Sequence, residues 1–310
     1  FVMHIAIAGA GLVGAGWTIV FARAGETVRL FDASRATRSR VRDDIRGRLG
    51  DLKSFDLVED VDAIMDRIEV CDSLEAAVAG AKYVQESVPE RVELKKEINA
   101  RLSALLDTET IVGSSTSGIP ASAFTEGLPN RERFLVAHPV NPPYLVPVVE
   151  VAPAPWTAPE TVDKAMAIMT AAGQSPILVR REIEGFILNR LQGVLLREAW
   201  ALFEEGYASA EDIDKTVREG LGLRWSFIGP FETIDLNAPR GVREYAEVLG
   251  PLYHSIEASR SGPEPWSEAL IGKVEAEMRD KIAAEDLAER RNWRDRRLMA
   301  LAAHKKKQNG

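Results

Sequence analysis

The sequence predicts an α/β protein in two parts: a doubly wound, mostly parallel sheet over residues 1–184, then an all-α domain over residues 185–310. Three observations lead there. Short β-branched runs alternate with helical stretches through the first half. A glycine triplet stands where the first strand gives way to a helix. Strand signals stop near Gly185, beyond which apolar residues recur every three or four positions.

HIAIAGAG opens the chain as a strand, LVGAGWTIVFARAG reads as the helix after it, and TVRLFD as the second strand. The charged segment between Asp32 and Ile68 exceeds a minimal crossover and predicts two helices, lying on the sheet or standing away from it. KYVQES, TIVGSS and FLVAH supply further strands, separated by amphipathic stretches. AHPVNPPYLVPVVE, residues 137–150, holds four prolines, each removing a backbone donor and fixing φ, so its path is stiff. The helix PETVDKAMAIMTAAG and the strand SPILV close the first part, and GFILNRLQGVLLREAWALFEEG begins a run of helices.

At 310 residues and 45% hydrophobic composition, the chain can bury at least one sizeable core. Its formal net charge of −8 argues against a nucleic-acid partner, because binding that backbone needs clustered Lys and Arg. RRNWRDRR and HKKKQ near the C-terminus sit among acids in a helical pattern and read as a solvated helix face. No apolar run approaches membrane-spanning length, and FVMHIAIAGAG passes straight into a strand without a basic leader. No membrane partner and a cytoplasmic location are therefore expected. The single cysteine, Cys71, excludes an intramolecular disulfide framework and suits a reducing compartment. No metal site is expected.

Gly9, Gly11 and Gly14 form G-x-G-x-x-G, with Leu12 and Val13 between the last two glycines and Asp32 ending the second strand. In such a pattern the first glycine permits a tight turn, the second lets backbone approach a pyrophosphate, and the third lets helix pack closely on sheet. The helix N-terminus then offers unpaired N–H groups to phosphate. This Rossmann-type arrangement predicts a dinucleotide cofactor. Asp32 suits a ribose 2′-OH and would repel a 2′-phosphate, which favours NAD over NADP, although Arg35 and Arg38 lie just beyond it.

Oxidation of an alcohol by a nicotinamide requires a base for the hydroxyl proton, donors for the developing carbonyl oxygen, and a group that orients the base. Among the four histidines, His4 precedes the first strand, His254 falls in a helical stretch and His304 in the basic tail. Only His138 falls at the C-terminal end of a strand, where open α/β sheets bind their ligands. Glu150 is the candidate carboxylate that fixes its tautomer. A core histidine with a satisfied hydrogen bond and a surface glutamate fit the same letters. Ser117 in GSSTSGIP and Asn189 in GFILNR are the candidate oxygen partners, and fit equally a helix cap and a buried amide. A hydrolase built on Ser117, His138 and Glu150 competes with this reading, but no G-x-S-x-G elbow surrounds Ser117.

GAGLVG, the Ser117 segment, AHPVNPPY, EIEGFILNRLQ, GLGLRWSFIGPFETIDLNA and RRNWRDRRLMALAAHK together resemble the L-3-hydroxyacyl-CoA dehydrogenase family, and within it the lambda-crystallin and L-gulonate 3-dehydrogenase branch. The resemblance covers essentially the whole chain. It implies that His138 is the general acid/base, Glu150 its orienting carboxylate, and Ser117 and Asn189 hydrogen-bonding partners of the substrate oxygen. It also implies that Glu90 in VPER, Lys95 and Asn141 lie near the nicotinamide end of NAD, although each fits a hinge or surface role as well.

Two departures from that family bear on the substrate. Acyl-CoA members carry a lysine-rich segment after the second strand, whereas GDLKSFDLVEDVD is largely acidic with Lys53 its only lysine. Arg224 enters in GLRWSFIGPF, where its guanidinium suits either the carboxylate of a free hydroxy acid or an ordinary salt bridge. The implied activity is NAD-dependent oxidation of the 3-hydroxyl of a small, L-gulonate-like hydroxy acid. Its alternatives are 3-hydroxyacyl-CoA (3-hydroxybutyryl-CoA) oxidation, a carnitine-type dehydrogenase, and a non-catalytic crystallin-like protein. Apolar faces such as FILNRLQGVLLREAWALF exceed what one core needs, and a homodimer is the expected outlet, as the resemblance also implies.

Overall fold

A computed structural model describes residues 2–260, 262 and 264–308. Its strands are β1 (His4–Ala8), β2 (Thr27–Phe31), β3 (Ile68–Val70), β4 (Tyr83–Glu86), β5 (Ile111–Ser114), β6 (Phe134–Pro139), β7 (Val148–Pro153) and β8 (Ser175–Leu178). They form one sheet in the order β3-β2-β1-β4-β5-β6-β7-β8. Every neighbouring pair is parallel except β6 with β7. The strand order reverses between β1 and β4, and the backbone there is tightly joined: Ser87 N donates to Ala8 O at 2.7 Å and Gly9 N to Phe31 O at 2.8 Å.

The helices α1 (Leu12–Arg23), α2 (Arg35–Lys53), α3 (Val61–Met65), α4 (Leu74–Val78), α5 (Val92–Leu105), α6 (Ser122–Thr125) and α7 (Pro159–Ala171) accompany the sheet. Alternation along β1 explains the two covered faces. Ile5 and Ile7 enter a core with Trp17, Ile19 and Phe21 of α1 and Ile45 and Leu49 of α2, while Ala6 and Ala8 enter another with Leu74, Val84 and Leu102. A strand buried on both sides has no polar face to show, so β1 after His4 reads as an unbroken apolar run. Truncating Ile7 or Leu49 to Ala would cost about 2–5 kcal/mol.

The charged segment after Asp32 lies on the sheet. Ser34 starts α2 by accepting from Thr37 N at 3.2 Å, and the helix buries Val41, Ile45, Leu49 and Leu52, a stripe at helical spacing in an otherwise polar sequence.

The helical part comprises α8 (Leu188–Glu204), α9 (Ala210–Lys215), a π-helical turn (Thr216–Leu221), α10 (Gly222–Trp225), α11 (Pro230–Leu236), α12 (Val242–Ala258), α13 (Glu268–Lys281) and α14 (Leu287–Gln308). Backbone contacts divide the chain into two compact units, Phe1–Leu191 with Arg291–Gly310, and Gln192–Arg290. From Arg291 onward the last helix thus counts with the sheet. Its Met299 is 2% exposed within the first core, and the Arg296 guanidinium lies 5.6 Å over the Phe55 ring. The basic C-terminal stretch is therefore solvated on one face only.

Within Gln192–Arg290, Arg260 forks onto Glu198 with two 2.6 Å hydrogen bonds and reaches Glu205 with a third, and Trp200 stacks on Trp266 at 4.4 Å. Leu270 is the one buried hydrophobic residue among those described in this unit, while Val194, Phe227 and Phe231 are more than two-thirds exposed.

Candidate active site

The glycine turn opens onto a cavity of about 700 Å3 lined by Gly9, Gly11, Leu12, Val13, Asp32 and, across the reversal in strand order, Val88, Glu90 and Ser117. Gly9 has φ +102, and a Cβ there would stand 2.6 Å from Ser87 O; a Cβ on Gly14 would stand 1.8 Å from Gly9 O. These two glycines are demanded by the protein itself. Gly11 is different: a Cβ there meets no protein atom within 4 Å, so the space it would take belongs to the cavity. That is what close approach of a pyrophosphate to the start of α1 requires.

Asp32 accepts from Ala10 N at 2.9 Å through Oδ2 and from Ser34 N at 2.8 Å through Oδ1. Each oxygen keeps a lone pair for a ribose hydroxyl. Arg38 turns back onto the main chain, donating to Asp32 O at 2.7 Å. The residues present fit a dinucleotide.

Register explains the histidine. β6 and β7 pair antiparallel with His138 directly opposite Glu150, and Nδ1 lies 2.7 Å from Glu150 Oε2. The proline-rich loop between these strands, with a cis Asn141–Pro142 bond, returns the chain in that register. Glu150 is fully buried, and its other oxygen, Oε1, accepts from the N–H groups of Ile187 at 2.8 Å and Leu188 at 2.9 Å, at the start of α8. Burial pushes the Glu150 carboxyl up, but the His138 hydrogen bond and the two N–H groups outweigh it and hold the group below the usual carboxylate range. With Nδ1 engaged, Nε2 is the His138 nitrogen that makes no hydrogen bond among the described residues.

Asn189, in the first turn of α8, donates from Nδ2 to Ser117 O at 2.8 Å. The Ser117 segment is in turn gripped by Glu90, whose Oε1 accepts from Thr116 Oγ1 at 2.6 Å, Ser117 N at 3.0 Å and Gly118 N at 3.2 Å. Contacts therefore run without a break from His138 through Glu150, the start of α8, Asn189, Ser117 and Glu90 to the cofactor cavity. The Ser117 hydroxyl caps no helix among the described residues, since α6 starts beyond it at Ser122. Nor does it bond to His138, whose one hydrogen-bond partner among the described residues is Glu150, so the hydrolase arrangement is not formed.

Three other expected residues stand elsewhere. Lys95 is 1% exposed and is not part of the cavity wall; its Nζ lies 2.9 Å from Glu86 Oε1 and 3.7 Å from Glu90 Oε2. Asn141 is exposed in the β6–β7 loop and does not line the cavity. Arg224 is exposed on α10, in the other compact unit, and makes no ion pair among the described residues.

The model of the 3-hydroxyacyl-CoA dehydrogenase NAD-binding domain matches residues 4–183, and that of the 3-hydroxyacyl-CoA dehydrogenase C-terminal domain matches residues 185–279. The chain belongs to the 3-hydroxyacyl-CoA dehydrogenase family. It is an NAD-dependent oxidoreductase acting on CH–OH groups. It is 41% identical over 307 residues to the lambda-crystallin homolog of Homo sapiens, covering 96% of this chain and 95% of that protein. An L-carnitine dehydrogenase of Pseudomonas sp is 35% identical, covering 97% of this chain and 94% of that one. Among solved structures, an NAD+-dependent dismutase, 5-formyl-3-hydroxy-2-methylpyridine 4-carboxylic acid 5-dehydrogenase, superposes with a TM-score of 0.84 at 27% identity, covering 97% of this chain and 98% of that one.

In this family member several contributors were not legible as such. Glu86 and Thr116 are buried polar residues that tie Lys95 and Glu90 into one network, with Ser114 Oγ donating to Glu86 Oε2 at 2.6 Å. A polar residue inside an apolar strand run, as in YVQES, is the signal that would have marked Glu86. The N–H groups of Ile187 and Leu188 carry no side-chain signature at all. No group of potential metal ligands occurs among the described residues, and no helix there is long and apolar enough to cross a membrane.

Proposed function

We propose that this protein oxidises the 3-hydroxyl of a small, free, L-gulonate-like hydroxy acid, with His138 as the base. The observation that carries the reading is the His138–Glu150 pair at 2.7 Å, buried and anchored at both carboxylate oxygens. Bound NAD supplies the hydride acceptor. Glu150 holds Nδ1, so the imidazole takes the hydroxyl proton at Nε2 and the adjacent anion stabilises the imidazolium. Ser117 and Asn189 hold the substrate oxygen, and preorganised donors of this type are worth about 3 kcal/mol each.

Support for a free acid comes from the acidic stretch GDLKSFDLVEDVD, which offers CoA phosphates only Lys53, and from the likeness to a dehydrogenase of L-carnitine, itself a free hydroxy acid. Arg224, exposed and without an ion pair among the described residues, is the proposed partner of the substrate carboxylate. Oxidation of a 3-hydroxyacyl-CoA is the second reading, favoured by the description of the family. Initial rates with NAD against free 3-hydroxy acids and their CoA thioesters test it: a higher kcat/KM for the free acids is expected, and preference for thioesters would overturn the assignment. No NADH formation with any of them would leave the crystallin-like, non-catalytic role.

We further propose a division of labour at residue 184, with 1–184 binding NAD and 185–310 serving substrate and dimerisation. The exposed apolar residues of Gln192–Arg290 support a homodimer, because a unit with one buried hydrophobic side chain among those described has faces left to cover. Sedimentation velocity should give twice the chain mass. The proposed location is the cytoplasm, in keeping with a buried free thiol at Cys71.

A further inference from the structure

The chain enters α8 through two residues in the left-handed region, Gly185 at φ +75 and Phe186 at φ +51. For glycine this conformation is free, whereas a bulky L-residue takes it only when surrounding structure enforces it. Phe186 is fully buried in a cluster with Val136 and Ala152. Those two residues face each other across β6 and β7, two positions from His138 and Glu150 and on the same face of the sheet. The Phe186 ring lies against the imidazole, with centroids 5.6 Å apart and planes at 45°. The next two N–H groups in the chain, of Ile187 and Leu188, are the ones that bind Glu150 Oε1.

We propose that Phe186 is a positioning residue for the His138–Glu150 pair. One residue acts on both partners: its ring limits rotation of the imidazole about the Nδ1 hydrogen bond, and its left-handed backbone aims two donors at the carboxylate. A glycine would give the turn without the ring. An ordinary helical or extended residue would give a ring without the turn. A phenylalanine held at positive φ by the cluster around it supplies both. The inference rests on His138 being the base, because fixing Nε2 matters only if that nitrogen takes the proton.

The test uses the full chain with Phe186→Gly, which keeps the turn and removes the ring, and Phe186→Leu, which keeps bulk without a flat face. Neither alters the cavity wall, so NADH titration and Tm report whether each variant is folded. With the best substrate of the hydroxy-acid panel, kcat should fall about 10- to 100-fold in each folded variant while KM changes less than about threefold. A readout free of substrate accompanies it: in 15N-labelled protein the His138 Nδ1 proton, sharp in the wild type, should broaden in Phe186→Gly. Unchanged kcat together with an unchanged Nδ1 proton signal, in either folded variant, would overturn the proposal. His138→Gln separates the two ideas. If that variant turns over at the wild-type rate, the base assignment fails; if it is dead while the Phe186 variants match wild type, only the positioning role fails.

Discussion

His138 and Glu150 face each other in a strand ladder, whereas Ser117 and Asn189 meet through a loop carbonyl and the first turn of a helix. The first pair is buried: His138 is 6% exposed and Glu150 0%. The second is open, with Ser117 exposed and Asn189 half-buried. Proton transfer tolerates little error in direction, and a sheet register gives the least freedom a backbone can offer. In the proposed role, groups that hold a substrate oxygen must admit and release it, and a loop end braced by Glu90 permits both.

If that contrast is right, substitutions in the ladder should cost more than those in the loop. His138→Gln should lower kcat by about 10^4-fold, with NADH affinity by fluorescence titration unchanged. Glu150→Gln should follow at about 10^3-fold, since a neutral amide cannot favour the imidazolium and permits the wrong tautomer.

Glu150→Gln also carries a pH signature. A carboxyl held below its usual range stabilises the fold at pH values above its unfolded pKa, and that stability is lost as pH falls through the depressed folded value. Wild-type Tm should therefore drop on acidification below about pH 4, and the Glu150→Gln variant should show a shallower drop over the same range.

Ser117→Ala should cost about 100-fold in kcat, the loss expected for one preorganised donor. Equal losses for Ser117→Ala and His138→Gln would erase the distinction between ladder and loop. The smallest effect is at the cofactor turn. Gly11→Ala should raise KM for NAD about tenfold, roughly 1.4 kcal/mol, with Tm unchanged, because its Cβ meets only the cavity. Gly14→Ala, whose Cβ would overlap Gly9 O, should instead lower Tm.

Much of the fold was legible because its signals are local. The alternation of apolar runs, the glycine spacing and Asp32 after β2 follow from steric and burial rules that act over a few residues. The polar helix α2 was legible as a helix, but its seat on the sheet was not: four apolar residues at helical spacing decide it, and they become decisive only against the first core. For the terminal helix α14 the charged letters do mark a solvated face, while Met299, with Leu298 beside it, joins the opposite face to the first core.

Among site residues, His138 and Glu150 were nameable as a pair. Glu90 and Lys95 were nameable only through family resemblance, which put both near the nicotinamide. In the folded chain Glu90 lines the cavity and binds the Ser117 loop, while Lys95 is buried behind it.

Local sequence thus carries the sheet and helix alternation, the dinucleotide turn and the candidate groups, His138 and Glu150, for moving a proton. Each depends on side-chain type and short-range spacing. Tertiary structure alone decided that His138 meets Glu150 in register, that both carboxylate oxygens are occupied, and that Phe186 stands in a left-handed turn against the imidazole. Those facts depend on backbone N–H groups and on strands brought together by a loop, and no spacing in one dimension encodes them.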